Sequence, residues 1–278
     1  MPVIRRKRSS RPLRESRRSK GRDRDRTVNV AAIKKRSEHG RGRARYVAPS
    51  SVQNQRLREL VAWSGRGPLE DAQLTLLAGC PENPDVDLFA SGELELLRRP
   101  CVSVVGTREV SNDGWQRARR LSRELANHGV VVVSGLAKGV DTAALTGAIE
   151  VGGRVVAVIG TPINQSYPIE NAELQEKIYR DHLLISQFPV GERVFPSNFP
   201  KRNRVMAALS DASVIVEASD TSGTLHQASE CQRLGRWLFI MKSVAEDRKL
   251  KWPAKFIGKP KVAVLASTAE ILDVVKRP

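Results

Sequence analysis

The segment CVSVVGTREVSNDGWQRARRLSRELANHGVVVVSGLAKGVDTAALTGAIEVGGRVVAVIG, residues 101–160, carries the pattern that sets the fold. Three Val- and Ile-rich runs, CVSVVG (101–106), VVVVSG (130–135) and RVVAVIG (154–160), alternate with helical-period stretches at 112–128 and 139–150. Short continuous apolar runs fit strands buried on both faces, and a helix between each pair is the crossover a parallel sheet requires. The alternation continues outward through a helix over 170–180, strand 183–188, helix 201–209, strand 212–218 and helix 222–235. WLFIM (237–241), KVAVLA (261–266) and a last helix from Thr268 to Val275 complete it, and VDLFA (86–90) adds a strand upstream. The expected fold class is α/β, a Rossmann-like, mostly parallel sheet with helices on both faces. Right-handed crossovers put the carboxyl ends of such strands on one rim, where these sheets bind ligands.

The 278 residues divide into three expected regions. Residues 1–49 are poor in apolar side chains and read as a disordered basic tail. Residues 50–84 read as a helical lead-in. SVQNQRLRELVAWS (51–64) sets Val52, Leu57, Leu60, Val61 and Trp63 on a helical stripe, a second helix covers 69–77, and Pro81, Asn83 and Pro84 break the chain. Residues 85–278 form the Rossmann-like domain. The net charge of +17 is concentrated in the tail: residues 1–48 hold 18 Lys and Arg against 4 Asp and Glu, and the remainder 29 against 26. A basic arm binds polyanions with little selectivity, so the globular part must show its partner residue by residue. Cys80, Cys101 and Cys231 have no CxxC pairing and no histidine at metal spacing, which fits a reducing, cytoplasmic setting and no metal site. No apolar run reaches the length of a membrane span, and the first ten residues lack the apolar stretch of a secretory signal.

Along the expected rim the strand exits share a design. Gly106-Thr107-Arg108 leaves the first strand, with a glycine for a tight exit and an arginine over the edge. Ser134-Gly135-Leu136-Ala137-Lys138-Gly139-Val140-Asp141 leaves the second; its small residues let backbone N–H groups approach a ligand, and Lys138 adds a point charge. Gly160-Thr161-Pro162 leaves the third and runs on to Tyr167. SNFPKRNRVMAALS (197–210) follows the fourth and sets Lys201, Arg202, Asn203 and Arg204 just after Pro200. A helix opening near Pro200 or Lys201 would aim free N–H groups and three cations at one spot, a phosphate site. Ser222-Gly223-Thr224 opens another helix as phosphate-binding turns do. A solvated first turn accounts for KRNR alone; five such exits, with cations on three, favour a bound polyanion.

No catalytic group stands out. Asp141 lies in a helix first turn, where a carboxylate is favoured anyway, and is read as holding the glycine-rich loop together. Glu217 at a strand end is read as orienting a cation or a ribose. GxGxxG and GxxxxGK[ST] are both absent, so neither a dehydrogenase nor a P-loop NTPase is expected.

The succession VVGTR (104–108), SGLAKGVD (134–141), GTPINQSYPIEN (160–171), FPKRNRVMAALS (199–210) and VIVEA…SGT (214–224) resembles the DNA-processing protein A (DprA/Smf) family. DLFASGELELLRRP (87–100) is similar to it as well, and the likeness covers roughly residues 85–241. The resemblance implies a non-catalytic protein that binds single-stranded DNA at the strand-end rim, forms a homodimer and loads a RecA-type recombinase, with no cofactor. It implies a DNA pocket of Gly106, Arg108, Ser134, Gly135, Lys138, Gly139, Phe199, Lys201, Arg202, Asn203 and Arg204, joined by Ser222, Gly223 and Thr224. Phe199 and Tyr167 are candidates for stacking a base. Five phosphate contacts, from Arg108, Lys138, Lys201, Arg202 and Arg204, would give a salt slope of about −3.5. The sequence departs from the family pattern at Pro162 and Gln187, over MKSVAEDRKLKWPAKFIGKP (241–260), in its basic arm, and in the expected lack of a C-terminal winged helix. The alternative is a nucleotide-binding or nucleotide-hydrolysing Rossmann protein of the lonely-guy class. Hydrolysis is disfavoured because Gln227 stands where that class places a glutamate base.

Overall fold

Among the described residues, nine strands form one sheet in the order β1-β2-β6-β5-β4-β3-β7-β8-β9. The computed structural model describes residues 46–70, 73 and 85–275. Contacts divide the chain into Met1–Arg43 and Ala44–Pro278. The basic tail to Arg45, most of the helix expected over 69–77 and Cys80 lie outside the described residues.

Seven strands run parallel: β3 (Cys101–Val105), β4 (Val131–Ser134), β5 (Val155–Ile159), β6 (Leu183–Ser186), β7 (Ala212–Ile215), β8 (Trp237–Met241) and β9 (Val262–Leu265). β1 (Gln53–Arg56) and β2 (Asp87–Gly92) extend one edge antiparallel. The chain walks outward from β3 through β4, β5 and β6, then returns to lay β7 on the other side of β3. The strand order therefore reverses between β3 and β7, and at such a reversal the flanking loops diverge and leave a crevice.

Every residue of β3 through β7 is buried, because both faces are covered. Val131, Val133, Val156 and Val158 face one core with Val205, Ala228, Cys231 and Trp252. Val132, Val155 and Ala157 face the other with Leu121, Leu125, Ala144 and Ile271. Among the described residues, the α-helices longer than one turn are α1 (Leu57–Trp63), α2 (Asn112–Asn127), α3 (Val140–Glu150), α4 (Ala172–Asp181), α5 (Asn198–Ala208), α6 (Thr224–Arg233) and α7 (Thr268–Val275).

Two expectations need correction. The helix expected over 51–64 begins only at Leu57; Gln53–Arg56 is instead the edge strand β1. Pairing Gln53 with Ala90 and Arg56 with Asp87 supplies the open edge of β2 with partners, and Arg56 bonds Asp85 at 3.2 Å and Asp87 at 2.7 Å. Four polar residues without helical periodicity take the conformation that the sheet edge offers. α5 begins at Asn198, three residues before the expected Lys201. The divergent stretch after β8 folds back through Trp252, whose ring is fully buried and whose indole N–H donates to the Ala218 carbonyl at 3.0 Å. The backbone N–H groups of Lys251 and Trp252 donate to the Asp220 carboxylate at 3.0 and 2.7 Å.

Candidate nucleic-acid interface

A cavity of about 540 Å³ opens at the strand-order reversal, lined by the exits of β3 and β7 and the first turn of α5. Gly106, Arg108, Tyr167, Phe199, Arg202, Asn203, Ser222, Gly223 and Thr224 line it, all from the expected set. Thr107, Glu109, Ala137, Pro196, Pro200 and Ser219 also line it; they are neighbours in the same loops that carry no charge pattern to announce them, apart from Glu109.

The cavity wall is built on Phe199. A Cβ on Gly160 would lie 2.7 Å from the Phe199 ring, so the glycine at the β5 exit makes room for it. The Arg108 guanidinium sits 4.8 Å from the centroid of that ring, and Tyr167 lies 5.4 Å away on a tilted plane. Arg108 is exposed and has no carboxylate partner among the described residues. Arginine, phenylalanine and tyrosine thus make a ladder of flat groups, one charged, beside the Ser222–Thr224 turn. In that turn the Ser222 hydroxyl accepts from the Thr224 N–H at 3.2 Å, and Asn203 ties the Gly223 carbonyl to α5 at 3.3 Å.

Arg202 does not reach out as expected. Its side chain is buried and donates to the carbonyls of Gly135 and Val158, the latter at 2.6 Å, while its Nε donates to Asn203 Oδ1 at 2.9 Å. Asp141 accepts from the N–H groups of Gly135 and Ala137 at 3.1 and 3.3 Å. The Gly135 peptide is therefore held from both ends, by Asp141 at its N–H and Arg202 at its carbonyl. Burial pushes the Asp141 carboxyl above its usual range, opposed by the Arg202 charge and the loop amides. Burial also lowers Arg202, opposed by Asp141, with Arg108 adding to the lowering. Arg202 forms the floor of the cavity, and the reading of Asp141 as a loop-holding residue agrees with its bonds.

Other expected contacts are also internal. Ser134 donates to the Val104 carbonyl at 2.7 Å, and a Cβ on Gly135 would run into Arg202. Gly139, at φ +80°, abuts the Thr107 and Arg108 carbonyls and locks the β4 exit onto the β3 exit. Arg204 faces α6 and pairs with Glu230 at 3.5 Å; Lys138 pairs with Glu170 at 3.2 Å on the surface. Lys201 is exposed and unpaired among the described residues. The α5 start offers no free amides: Asn198 N–H donates to Phe195, Phe199 N–H to Pro196 and Lys201 N–H to Ser197. Helix capping by the loop's own carbonyls has used the donors that a phosphate would need.

Glu217 accepts from Ser111 N–H and Oγ at 2.9 and 2.6 Å and pairs with Arg117, so it anchors the start of α2. Gln227 is fully buried and donates to Ser213 and Ser103, away from the cavity lining. Among the described residues there is no cluster of His, Cys, Asp and Glu able to hold a metal, and no helix long and apolar enough to cross a membrane.

A doubly wound sheet with an aromatic and cationic crevice at its reversal defines a Rossmann-like binding domain. Residues 71–276 match the family described as DNA recombination-mediator protein A, and the chain belongs to that family. It is 41% identical over 154 residues to the DNA processing protein DprA of Streptococcus pneumoniae, covering 55% of this chain and 54% of that protein. The chain therefore spans about half the length of that relative. The structure is similar to that of the Streptococcus protein, with a TM-score of 0.63 and 35% identity over 69% of this chain and 67% of the other. It is also similar to a structure of DNA processing protein A from Helicobacter pylori, described for its single-stranded DNA binding mode, with a TM-score of 0.60 and 26% identity over 67% of this chain and 85% of the other.

Proposed function

We propose that this chain binds single-stranded DNA in the crevice at the β3–β7 reversal and passes the strand to a RecA-type recombinase, without catalytic turnover. The observation that carries the reading is the Arg108–Phe199–Tyr167 ladder, which offers an unpaired base a stacking surface and its phosphate a free guanidinium. Duplex DNA keeps its bases stacked inside and cannot use such a ladder. Family membership and the Helicobacter neighbour support the choice of single-stranded DNA over other polyanions. Lys201 and Lys138 supply further phosphate contacts, the latter by exchanging its exposed pairing with Glu170, which is worth little in water. Three contacts predict a slope of log affinity against log salt of about −2 in place of the −3.5 expected from five. A homodimer is part of the same proposal.

Fluorescence anisotropy with single- and double-stranded oligonucleotides tests it, wild type beside Arg108→Ala and Phe199→Ala. Preferential single-strand binding that both variants weaken is the expected result; equal affinity for both DNA forms, or indifference to both variants, overturns it. Hydrolysis of a nucleotide through the α6 turn has no base to run it, since Gln227 is an amide engaged inside the core.

A further inference from the structure

The loop between β6 and α5 holds an aromatic ring that the crevice does not use. Phe195 is 47% exposed. An isolated exposed ring needs no explanation, but this one repeats the arrangement inside the cavity. The Arg193 guanidinium lies 5.5 Å from the Phe195 centroid, as Arg108 lies 4.8 Å from that of Phe199. Arg193 is exposed and has no carboxylate partner among the described residues. The next residue, Pro196, lines the cavity, and the Phe195 carbonyl accepts from Asn198 N–H at 3.0 Å. That bond fixes Phe195 one turn ahead of Phe199. Lys201 follows, exposed and cationic, and Tyr167 stands 49% exposed on the cavity wall.

We propose that Phe195 and Arg193 form a second nucleobase-stacking subsite at the mouth of the crevice, holding the base next to the one seated on Phe199. The proposal rests on the single-strand reading above. The ring takes the face of a base, and Arg193 meets the adjoining phosphate. Every base has a π-face, so the subsite tolerates any sequence. It carries the strand out over the β6–α5 loop, along a surface whose free charges, Arg193 and Lys201, have the sign that a phosphodiester chain requires.

Oligothymidylates of increasing length, titrated by anisotropy against wild type, Phe195→Ala, Arg193→Ala and Phe199→Ala, give the test. Phe195→Ala should leave the shortest binding oligonucleotide unaffected and weaken longer ones about five- to tenfold. Arg193→Ala should reduce the salt slope for the longer strands by about 0.7, and Phe199→Ala should weaken every length. Strands carrying 5-iododeoxyuridine should photocrosslink to the peptide that contains Phe195. If wild type binds single strands and Phe195→Ala matches it at every length, the subsite is wrong while the crevice stands. If wild type binds no single strand at all, the single-strand reading falls and takes the subsite with it. A Phe195→Ala variant that changes sedimentation but not length dependence would assign the ring to a protein interface and overturn the proposal.

Discussion

Arg108 and Arg202 show how two arginines on one cavity divide the work. Arg108 is exposed and stacked, so its removal should cost affinity and about 0.7 of the salt slope with little change in folding stability. Arg202 is buried on the carbonyls of Gly135 at the β4 exit and Val158 within β5, and its loss leaves Asp141 in the core without its compensating charge. Arg202→Ala should therefore destabilise the fold by about 3–5 kcal/mol, read as the shift in a urea unfolding curve. Arg202→Lys keeps the charge but cannot reproduce both the Nη1 bonds to the Gly135 and Val158 carbonyls and the Nε bond to Asn203, and should recover only part of the loss. An Arg202 variant that stays stable but binds with a shallower salt slope would return this side chain to the phosphate contacts.

At the scale of elements, the segment after β8 and the end of α4 each make a checkable claim. Among the described residues Trp252 is the largest fully buried side chain, and it pins the β7 exit through Ala218, next to the Ser219–Gly223 wall of the cavity. Trp252→Phe keeps most of the buried ring but loses the indole donor; it should lower stability by about 1–3 kcal/mol and loosen that wall, seen as faster amide exchange over 218–224. His182 closes α4 with its ring buried and, among the described residues, both ring nitrogens without a hydrogen-bond partner. Burial lowers its pKa from 6.5, with Arg154 and Lys177 acting the same way and Asp181 and Glu93 opposing. The unfolded chain therefore takes the proton first. The stability that the neutral ring permits is full above about pH 6.5 and declines as pH falls through that value towards the folded pKa. Comparing urea midpoints at about pH 7.5 and about pH 5 should show a smaller drop for His182→Leu than for wild type.

For the whole molecule, charge and the attachment of the arm matter most. Tyr46 donates to the Ile163 carbonyl at 2.8 Å, Val47 N–H bonds Glu176 at 2.9 Å, and Tyr179 bonds the Val47 carbonyl at 2.9 Å. The residues just before position 49, expected to be tail, are thus fastened to α4 and the β5 exit. Burial pushes the Tyr46 hydroxyl up to about 12, which keeps it a donor throughout the working range. Deleting residues 1–45 should spare both stability and the preference for single strands, while reducing salt-sensitive duplex binding. Extending the deletion to residue 49 should lower the unfolding midpoint, since it removes these ties. Loss of single-strand preference in the shorter deletion would show that the arm carries the binding.

The alternation of apolar runs and helical stretches determined by itself the parallel sheet, its rim and the succession of strand exits. Those features follow from local period, and the runs of β3 through β7 are buried on both faces, so nothing tertiary competes with the reading there. The boundary of α1 was not legible, because Gln53–Arg56 is a strand only by virtue of the open edge of β2 beside it. Nor could spacing along KRNR separate Lys201, Arg202 and Arg204. Successive helical residues point about 100° apart, so one faces water, one the floor of the crevice and one Glu230. Which cation is free to meet a phosphate depends on which carbonyl or carboxylate the folded chain has already set against it, and only the tertiary structure decides that.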